Sequence, residues 1–448
     1  MKQTFDVIVI GAGNAGLAAS AIAKKAGLSV AIIEKDGIGG TCPLRGCVPK
    51  KVLVAAAEVI DKINHASSHH IHVGKPSIDW PQLIKRKREI ISPLSSSFEK
   101  SLHHKGIELI RGSAEFVDDH TVVINNSLYE AKKIVIATGS TPHSLPIEGF
   151  HHVITSDDIL ELEELPPSLL FIGAGVVSLE FSHVFARAGV KVTLLEAASR
   201  PLPQWEEEIV EKLVLESEKL GITIITSVEI KSIKKNDSGF AVHFLQNRQE
   251  KSIRAEFVAN GAGRVPNVDK LNLEAAHIEH EGHRIILDEY LRSRSNSDIF
   301  VAGDPTSSAQ LSPVATYEGK VVGHNLTNDK MISPDYSSIP SCVFTVPALA
   351  SVGLTETQAR EKNLEFISKT NDLTSWLSGR TYAESTAFSK ILIEKGTNQI
   401  LGAHIIGHDG PELINLLALA MKHGVSSTQI KEMVFAYPTF GSDLSYMV

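Results

Sequence analysis

Short unbroken apolar runs punctuate the chain, and each stops on a glycine or an acid. Val7-Ile-Val-Ile10 stops at Gly11, and Val30-Ala-Ile-Ile33 stops at Glu34. The pattern returns at Leu170-Phe-Ile172 before Gly173 and at Val192-Thr-Leu-Leu195 before Glu196. Two more runs, Ile134-Val-Ile-Ala137 and Ile299-Phe-Val-Ala302, lead into Thr138-Gly139 and Gly303-Asp304. Runs that do not alternate predict strands covered on both faces, as in a parallel sheet. Alanine-rich stretches between the members of the first two pairs predict packed crossover helices. From about Ile339 the character changes. Strand-like residues 341–345 and 391–394 alternate with an amphipathic helix near 412–423, which predicts a separate C-terminal α+β domain.

The first two pairs are copies of one pattern. Gly11 and Gly173, Ala26 and Ala188, and Glu34 and Glu196 are each 162 positions apart. Each copy reads strand, glycine turn, helix, strand, acid, which is the dinucleotide-binding βαβ unit. The first glycine (Gly11, Gly173) allows the tight turn, and the second (Gly13, Gly175) lets a pyrophosphate approach the backbone. Gly16 completes the first fingerprint, and Ser178 stands at the matching position of the second. A helix N-terminus then offers free N–H groups to phosphate. Two such units in register imply two dinucleotides, and FAD with NAD(P)H is the common pairing.

Composition narrows the class. A chain of 448 residues with 43% apolar and 21% charged residues is an ordinary globular protein of two to four domains. A net charge of −8 gives no reason to expect nucleic acid or an anionic membrane as partner. Residues 7–23 carry no charge, but Asp6 flanks them and they hold a fingerprint, so a signal peptide is rejected. No other stretch has the length to span a bilayer. Three cysteines, Cys42, Cys47 and Cys342, suit a reducing cytosol, so a cytoplasmic location is expected.

Cys42-Pro-Leu-Arg-Gly-Cys47 is a close pair. In a regular helix its members would stand about 7.5 Å apart along the axis, more than a disulfide allows. Pro43 and Gly46 make an irregular turn, which closes the distance. A helix starting near Cys47 would lower that thiol's pKa, and a neighbouring lysine would add to this. Inert thiols and a zinc site are the alternatives, but no second cysteine pair completes a zinc ligand set. No metal site is assigned.

In this order, the fingerprint, Gly-Gly-Thr-Cys with Gly-Cys-Val-Pro, Ala-Thr-Gly, the second fingerprint, Gly-Arg-Val-Pro-Asn and Ala-Gly-Asp, the chain resembles the pyridine nucleotide-disulfide oxidoreductases along its whole length. That family includes glutathione reductase, lipoamide dehydrogenase and mercuric reductase. The resemblance implies a discontinuous FAD-binding domain over 1–147 and 264–337, an NAD(P)-binding domain over 148–263, and an α+β dimerisation domain over 338–448. It implies a homodimer and a small-molecule acceptor. Cys42 resembles the interchange thiol that attacks substrate, and Cys47 the thiol that forms the charge-transfer complex with flavin. Lys51 resembles the lysine near flavin N5, and Glu180 the glutamate that pairs with it. Glu34 would hold the FAD ribose and Asp304 the ribityl chain. Gly11, Gly13, Gly16, Gly40, Thr41, Lys51, Ala114, Thr138, Gly139 and Ala315 would also line the FAD. Gly173, Gly175 and Glu196 would hold the nicotinamide dinucleotide, with Gly263 and Arg264 closing that domain.

Glu196 would accept the ribose 2′-OH and repel a 2′-phosphate, which points to NADH. Arg200 lies slightly further on, within reach of a phosphate, so NADPH stays open. The chain departs from the family at its end. The family places His-Pro-Thr there, with a glutamate five residues after the histidine. This chain reads Tyr437-Pro-Thr-Phe-Gly-Ser442-Asp443. A phenol donates a proton but is a poor base near pH 7. Tyr437 therefore either packs at the dimer interface or contacts and protonates a different acceptor, and Asp443 is a candidate replacement carboxylate. Tyr-Pro-Thr also resembles the soluble transhydrogenases, which lack the cysteine pair. Mercuric reductases carry a C-terminal cysteine pair that is not found near Val448. Ala21-Ile22 stands where glutathione reductases place an arginine. The expectation is a flavoprotein disulfide reductase, with a metal ion, quinone or second pyridine nucleotide as alternative acceptor. His65, His69, His70 and His72 read as a solvated loop.

Overall fold

The computed structural model describes residues 3–448. They fall into two compact units. The first comprises residues up to Lys50, Ile84–His143 and Gly263–Asp335. The second comprises Lys51–Leu83, Ser144–Ala262 and Tyr336–Val448. Residues 51–83, read from sequence as part of the FAD domain, thus cluster with the second unit. The segments expected as NAD(P) and dimerisation domains cluster there together.

The first unit is built on a sheet ordered Glu108–Arg111, Val30–Glu34, Gln3–Ile10, Ser127–Ile136, Thr121–Ile124 and Glu115–Asp118. Ile299–Val301 pairs in parallel with Ser127–Ile136. The apolar runs are its centre: Val7 faces Val30 and Ile8 faces Ile134 across parallel ladders. Ile8, Ile32 and Ile134 are fully buried, each contributing about 1.5–3 kcal/mol. The helix Asn14–Lys25 follows the first strand and packs on the helix Ser312–Thr327. Gly319 permits that contact, because a methyl there would lie 2.3 Å from the Ala15 carbonyl oxygen.

The second unit holds a parallel sheet ordered Thr223–Ile225, Lys191–Leu195, Ser168–Ile172 and Phe257–Asn260. A three-stranded meander, Val228–Asn236, Gly239–Gln246 and Gln249–Ala255, accompanies it. The C-terminal residues form the expected α+β arrangement. Its five antiparallel strands run Ser341–Val343, Leu349–Gly353, Ile400–Ile406, Phe388–Glu394 and Phe366–Asp372, with the helix Gly410–Lys422 against them. Two polar ties explain why this part clusters with the dinucleotide sheet. Buried Lys390 bridges Glu206 and Glu208, each at 2.9 Å, and also Glu356. Arg187 binds both Asp61, at 2.7 Å, and the Val346 carbonyl, at 2.8 Å.

Candidate active site

The first apolar strand ends at Gly11, whose φ of +109 is closed to most L-residues. A methyl there would also sit 2.3 Å from the Ala137 carbonyl oxygen. The chain can then turn into the helix Asn14–Lys25, which exposes the N–H groups of its first turn. Gly13 and Gly40 approach backbone to backbone, since a methyl on Gly40 would meet the Gly13 Cα at 2.7 Å. Glu34 receives the backbone N–H groups of Ala12 and Asp36, both at 2.8 Å. Thr138 Oγ1 is buried with no hydrogen-bond partner among the described residues. This bare backbone, with a fixed acid and a free hydroxyl, fits the phosphates and ribose of a dinucleotide. Nearby, the Ser140 hydroxyl donates to Asp304 and accepts from Arg264 Nε at 2.8 Å. Gly139 and Gly263 turn with positive φ, Ala114 is buried, and Ala315 lies beside Gly303.

Thr41–Arg45 forms one short helical turn and Gly46 breaks it, with φ −140 and ψ −116. A long helix then runs Cys47–Asn64. This is the irregular turn the sequence required, and it leaves two thiols in mutual hydrogen-bond contact. The Cys42 thiol is pulled down from 9.0 to about 6, first by the hydrogen bond from Cys47. Burial opposes this, and Ser312 and Asn14 add further hydrogen bonds. The Cys47 thiol is held well above its usual range, first by its bond to Cys42 and then by burial. Lys50 pulls it back only in part. One thiolate forms easily and resists the formation of a second. Asn14 also donates to Ser312, a partner 298 residues away. Neither residue carries a sequence signal for this role.

In the second unit, Lys51 and Glu180 both come to Phe344. Lys51 Nζ lies 4.4 Å from the Phe344 ring centre and 2.7 Å from Glu58. Glu180, 4% exposed, accepts the Phe344 backbone N–H at 2.8 Å. Two turns of the same helix, Val176–Arg187, add His183 and Arg187, which bond to Val346. His183 is fully buried; burial and then the Arg187 charge depress its pKa to about 3.

The second fingerprint mirrors the first. Gly173 has φ +94, and a methyl there would lie 2.4 Å from the Gly261 carbonyl oxygen. Gly175 opens the helix, and Glu196 receives the N–H groups of Ala174 (2.6 Å) and Ala198 (2.8 Å). Ser178, in place of a third glycine, is accommodated because Gly261 lacks a side chain; its hydroxyl is buried without a partner among the described residues. This arrangement also fits a dinucleotide. Arg200 is spent elsewhere: its guanidinium donates to the carbonyls of Leu202 (3.0 Å), Pro203 (2.7 Å) and Trp205 (3.0 Å).

Tyr437 is 71% exposed. Thr439 caps the C-terminal helix Phe440–Met447, and Ser442 serves that cap instead of supplying an acid. Asp443 does not turn toward Tyr437 as a substitute. It accepts from buried His408 at 2.9 Å and from Ser378. Among the described residues, no group of three or more His, Cys, Asp or Glu could hold a metal ion, and no helix is long and apolar enough to cross a membrane.

The family model described as pyridine nucleotide-disulphide oxidoreductase matches residues 5–319, and that of its dimerisation domain matches residues 339–448. A mercuric reductase of Staphylococcus aureus is 31% identical over 98% of this chain and 81% of its own length. A dihydrolipoyl dehydrogenase of Chlamydia pneumoniae is 33% identical over 98% and 95%. The HOCl-induced flavoprotein disulfide reductase RclA of Escherichia coli superposes with a TM-score of 0.88 at 28% identity, covering 99% of both chains. That protein has also been solved as a Cu(II) complex.

Proposed function

The chain belongs to the pyridine nucleotide-disulphide oxidoreductase family, and on that premise we propose that it is an FAD-dependent NADH reductase working through the Cys42–Cys47 pair. The observation that carries this reading is the Cys42 thiol, drawn to about 6 beside Cys47 at the start of a long helix. When bound, FAD supplies two-electron chemistry between a nicotinamide hydride and a dithiol. Gly11, Gly13, Gly40, Glu34, Thr138 and Asp304 would hold it. Gly173, Gly175 and Glu196 would hold the nicotinamide dinucleotide. Glu196 is fixed where it would meet a ribose, and Arg200 is committed to carbonyl oxygens, so NADH is the proposed donor.

The acceptor is proposed to be a small disulfide. The Cys42 thiolate attacks one sulfur, and the acceptor S–S bond breaks. One half leaves and takes a proton. Cys47, giving up its own proton, then attacks the Cys42 sulfur, restoring the internal disulfide and releasing the second half. The acceptor gains two electrons and two protons. The dimerisation domain suggests a homodimer, in which Tyr437 would reach the partner's pair and protonate the leaving sulfur. Anaerobic titration with NADH tests the core. A long-wavelength thiolate absorbance should form, and the double variant Cys42→Ser/Cys47→Ser should abolish it. Its survival in that variant would overturn the assignment.

One observation favours a second reading. No imidazole–carboxylate pair stands at Tyr437 and Ser442, and Asp443 is bound to His408. A soft metal ion needs no leaving-group proton. Two electrons would pass from the dithiol to one divalent ion, or one each to two ions, and the disulfide would re-form. Mercuric reductase and the Cu(II) complex of RclA show that metal ions bind within the family. Turnover with Cu(II) but not with hydroxyethyl disulfide would select this reading.

A further inference from the structure

His408 and Asp409 both adopt left-handed backbone, with φ of 53 each. Neither is glycine, so the strain must be offset locally. The His408 side chain is fully buried. Its backbone N–H donates to Glu384 Oε1 at 2.7 Å, and its Nδ1 meets Glu384 Oε2 at 2.7 Å. Its Nε2 meets Asp443 Oδ2 at 2.9 Å. Both ring nitrogens therefore face carboxylates. An ionised carboxylate only accepts, and a neutral imidazole has one donor. The ring and the two carboxylates therefore bond as one buried cluster, with His408 joining Glu384 to Asp443.

The trio bears on the end of the chain. Asp443 and Phe440 both lie in the first turn of the C-terminal helix, and Phe440 stands edge-on to the His408 ring at 4.6 Å. Thr439 caps that helix, and Tyr437 lies two residues earlier. Ser378 donates to the same Asp443 oxygen, so that oxygen is held by two partners.

We infer that His408, clamped between Glu384 and Asp443, is a positioning residue that fixes the C-terminal segment carrying Tyr437 for the acceptor step. This rests on the reading of the Cys42–Cys47 pair given above. The function of the clamp is to hold the exposed tyrosine on a rigid helix end, where an error of about 1 Å can cost about 100-fold in rate.

The test uses the FAD-loaded enzyme reduced by NADH, with hydroxyethyl disulfide and Cu(II) chloride as separate oxidants. His408→Gln should slow reoxidation by about 10- to 100-fold. Flavin reduction by NADH should change by less than about twofold, because the clamp acts on the acceptor step alone. Amide exchange over residues 436–447 should rise. In a Tyr437→Ala background, His408→Gln should cause no further loss, since the two act in one chain of effect. Asp443→Asn, which keeps an acceptor for Nε2–H, should give the same pattern more weakly and serves if His408→Gln does not fold. Equal slowing of both half-reactions, unchanged exchange, or multiplying losses in the double variant would overturn the inference. Wild-type reoxidation rates in Cys42→Ser would instead overturn the cysteine-pair reading, while the exchange result would still decide the clamp.

Discussion

Replacing Cys47 by alanine removes the largest single cause of the lowered Cys42 pKa. With the thiol at about 6, roughly 90% of Cys42 is thiolate at pH 7; at its ordinary 9.0 only about 1% would be. The rate of attack changes less than this ratio suggests. A thiolate three units more basic is also about 20-fold more nucleophilic toward a disulfide. The net loss at pH 7 is then only about fourfold, and the informative quantity is the shape of the pH curve. Reduced enzyme mixed with 5,5′-dithiobis(2-nitrobenzoate) from pH 5 to 10 reports it, with the double variant Cys42→Ser/Cys47→Ala as the blank for Cys342. Wild type should reach half its plateau near pH 6 and lose reactivity below that, where the thiolate is protonated. Cys47→Ala should titrate toward 9.0, and its curve should cross above wild type in alkali. A wild-type midpoint of 8 or higher, or superimposable curves, would refute the reasoning.

Three further outcomes are expected. Glu196→Gln should raise the NADPH:NADH ratio of kcat/KM by at least about tenfold, because it removes the charge that would face the ribose in the proposed reading while keeping an acceptor; an unchanged ratio in steady-state assays would place the ribose elsewhere. Gly319→Ala drives a methyl to 2.3 Å from the Ala15 carbonyl oxygen, and should cost about 1–3 kcal/mol in urea denaturation. His183, with its pKa depressed to about 3, stays unprotonated in the fold while the unfolded chain takes up a proton below 6.5. Stability should therefore fall with pH between 6.5 and about 3, by up to about 1.4 kcal/mol per unit from this group. His183→Asn should flatten that limb in pH-dependent melting curves, and an equally steep limb would assign it to other groups.

Features set by local chemistry were legible in the sequence. The fingerprint turns at Gly11 and Gly173 need backbone that few residues but glycine adopt, so the residue type announces the conformation. The apolar runs announce covered strands because a strand buried on both faces has no polar side to show. Pro43 and Gly46 forced the break that brings Cys42 to Cys47, and Tyr437 and Ser442 marked the departure at the chain's end.

What surrounds these features was decided only in three dimensions. Asn14 and Ser312 flank the Cys42 thiol from positions 298 residues apart, a pairing no local pattern encodes. Arg200 looked free to meet a phosphate until its neighbours' carbonyls claimed it, and Asp443 looked free to replace a glutamate until His408 claimed it. Lys50, adjacent in sequence to Lys51, proved to be the lysine whose charge bears on Cys47. In each case the residue type fixes which bonds a group is able to make. Burial and distance then choose among them, because a hydrogen bond or ion pair is decided by a few ångströms that only the folded chain supplies.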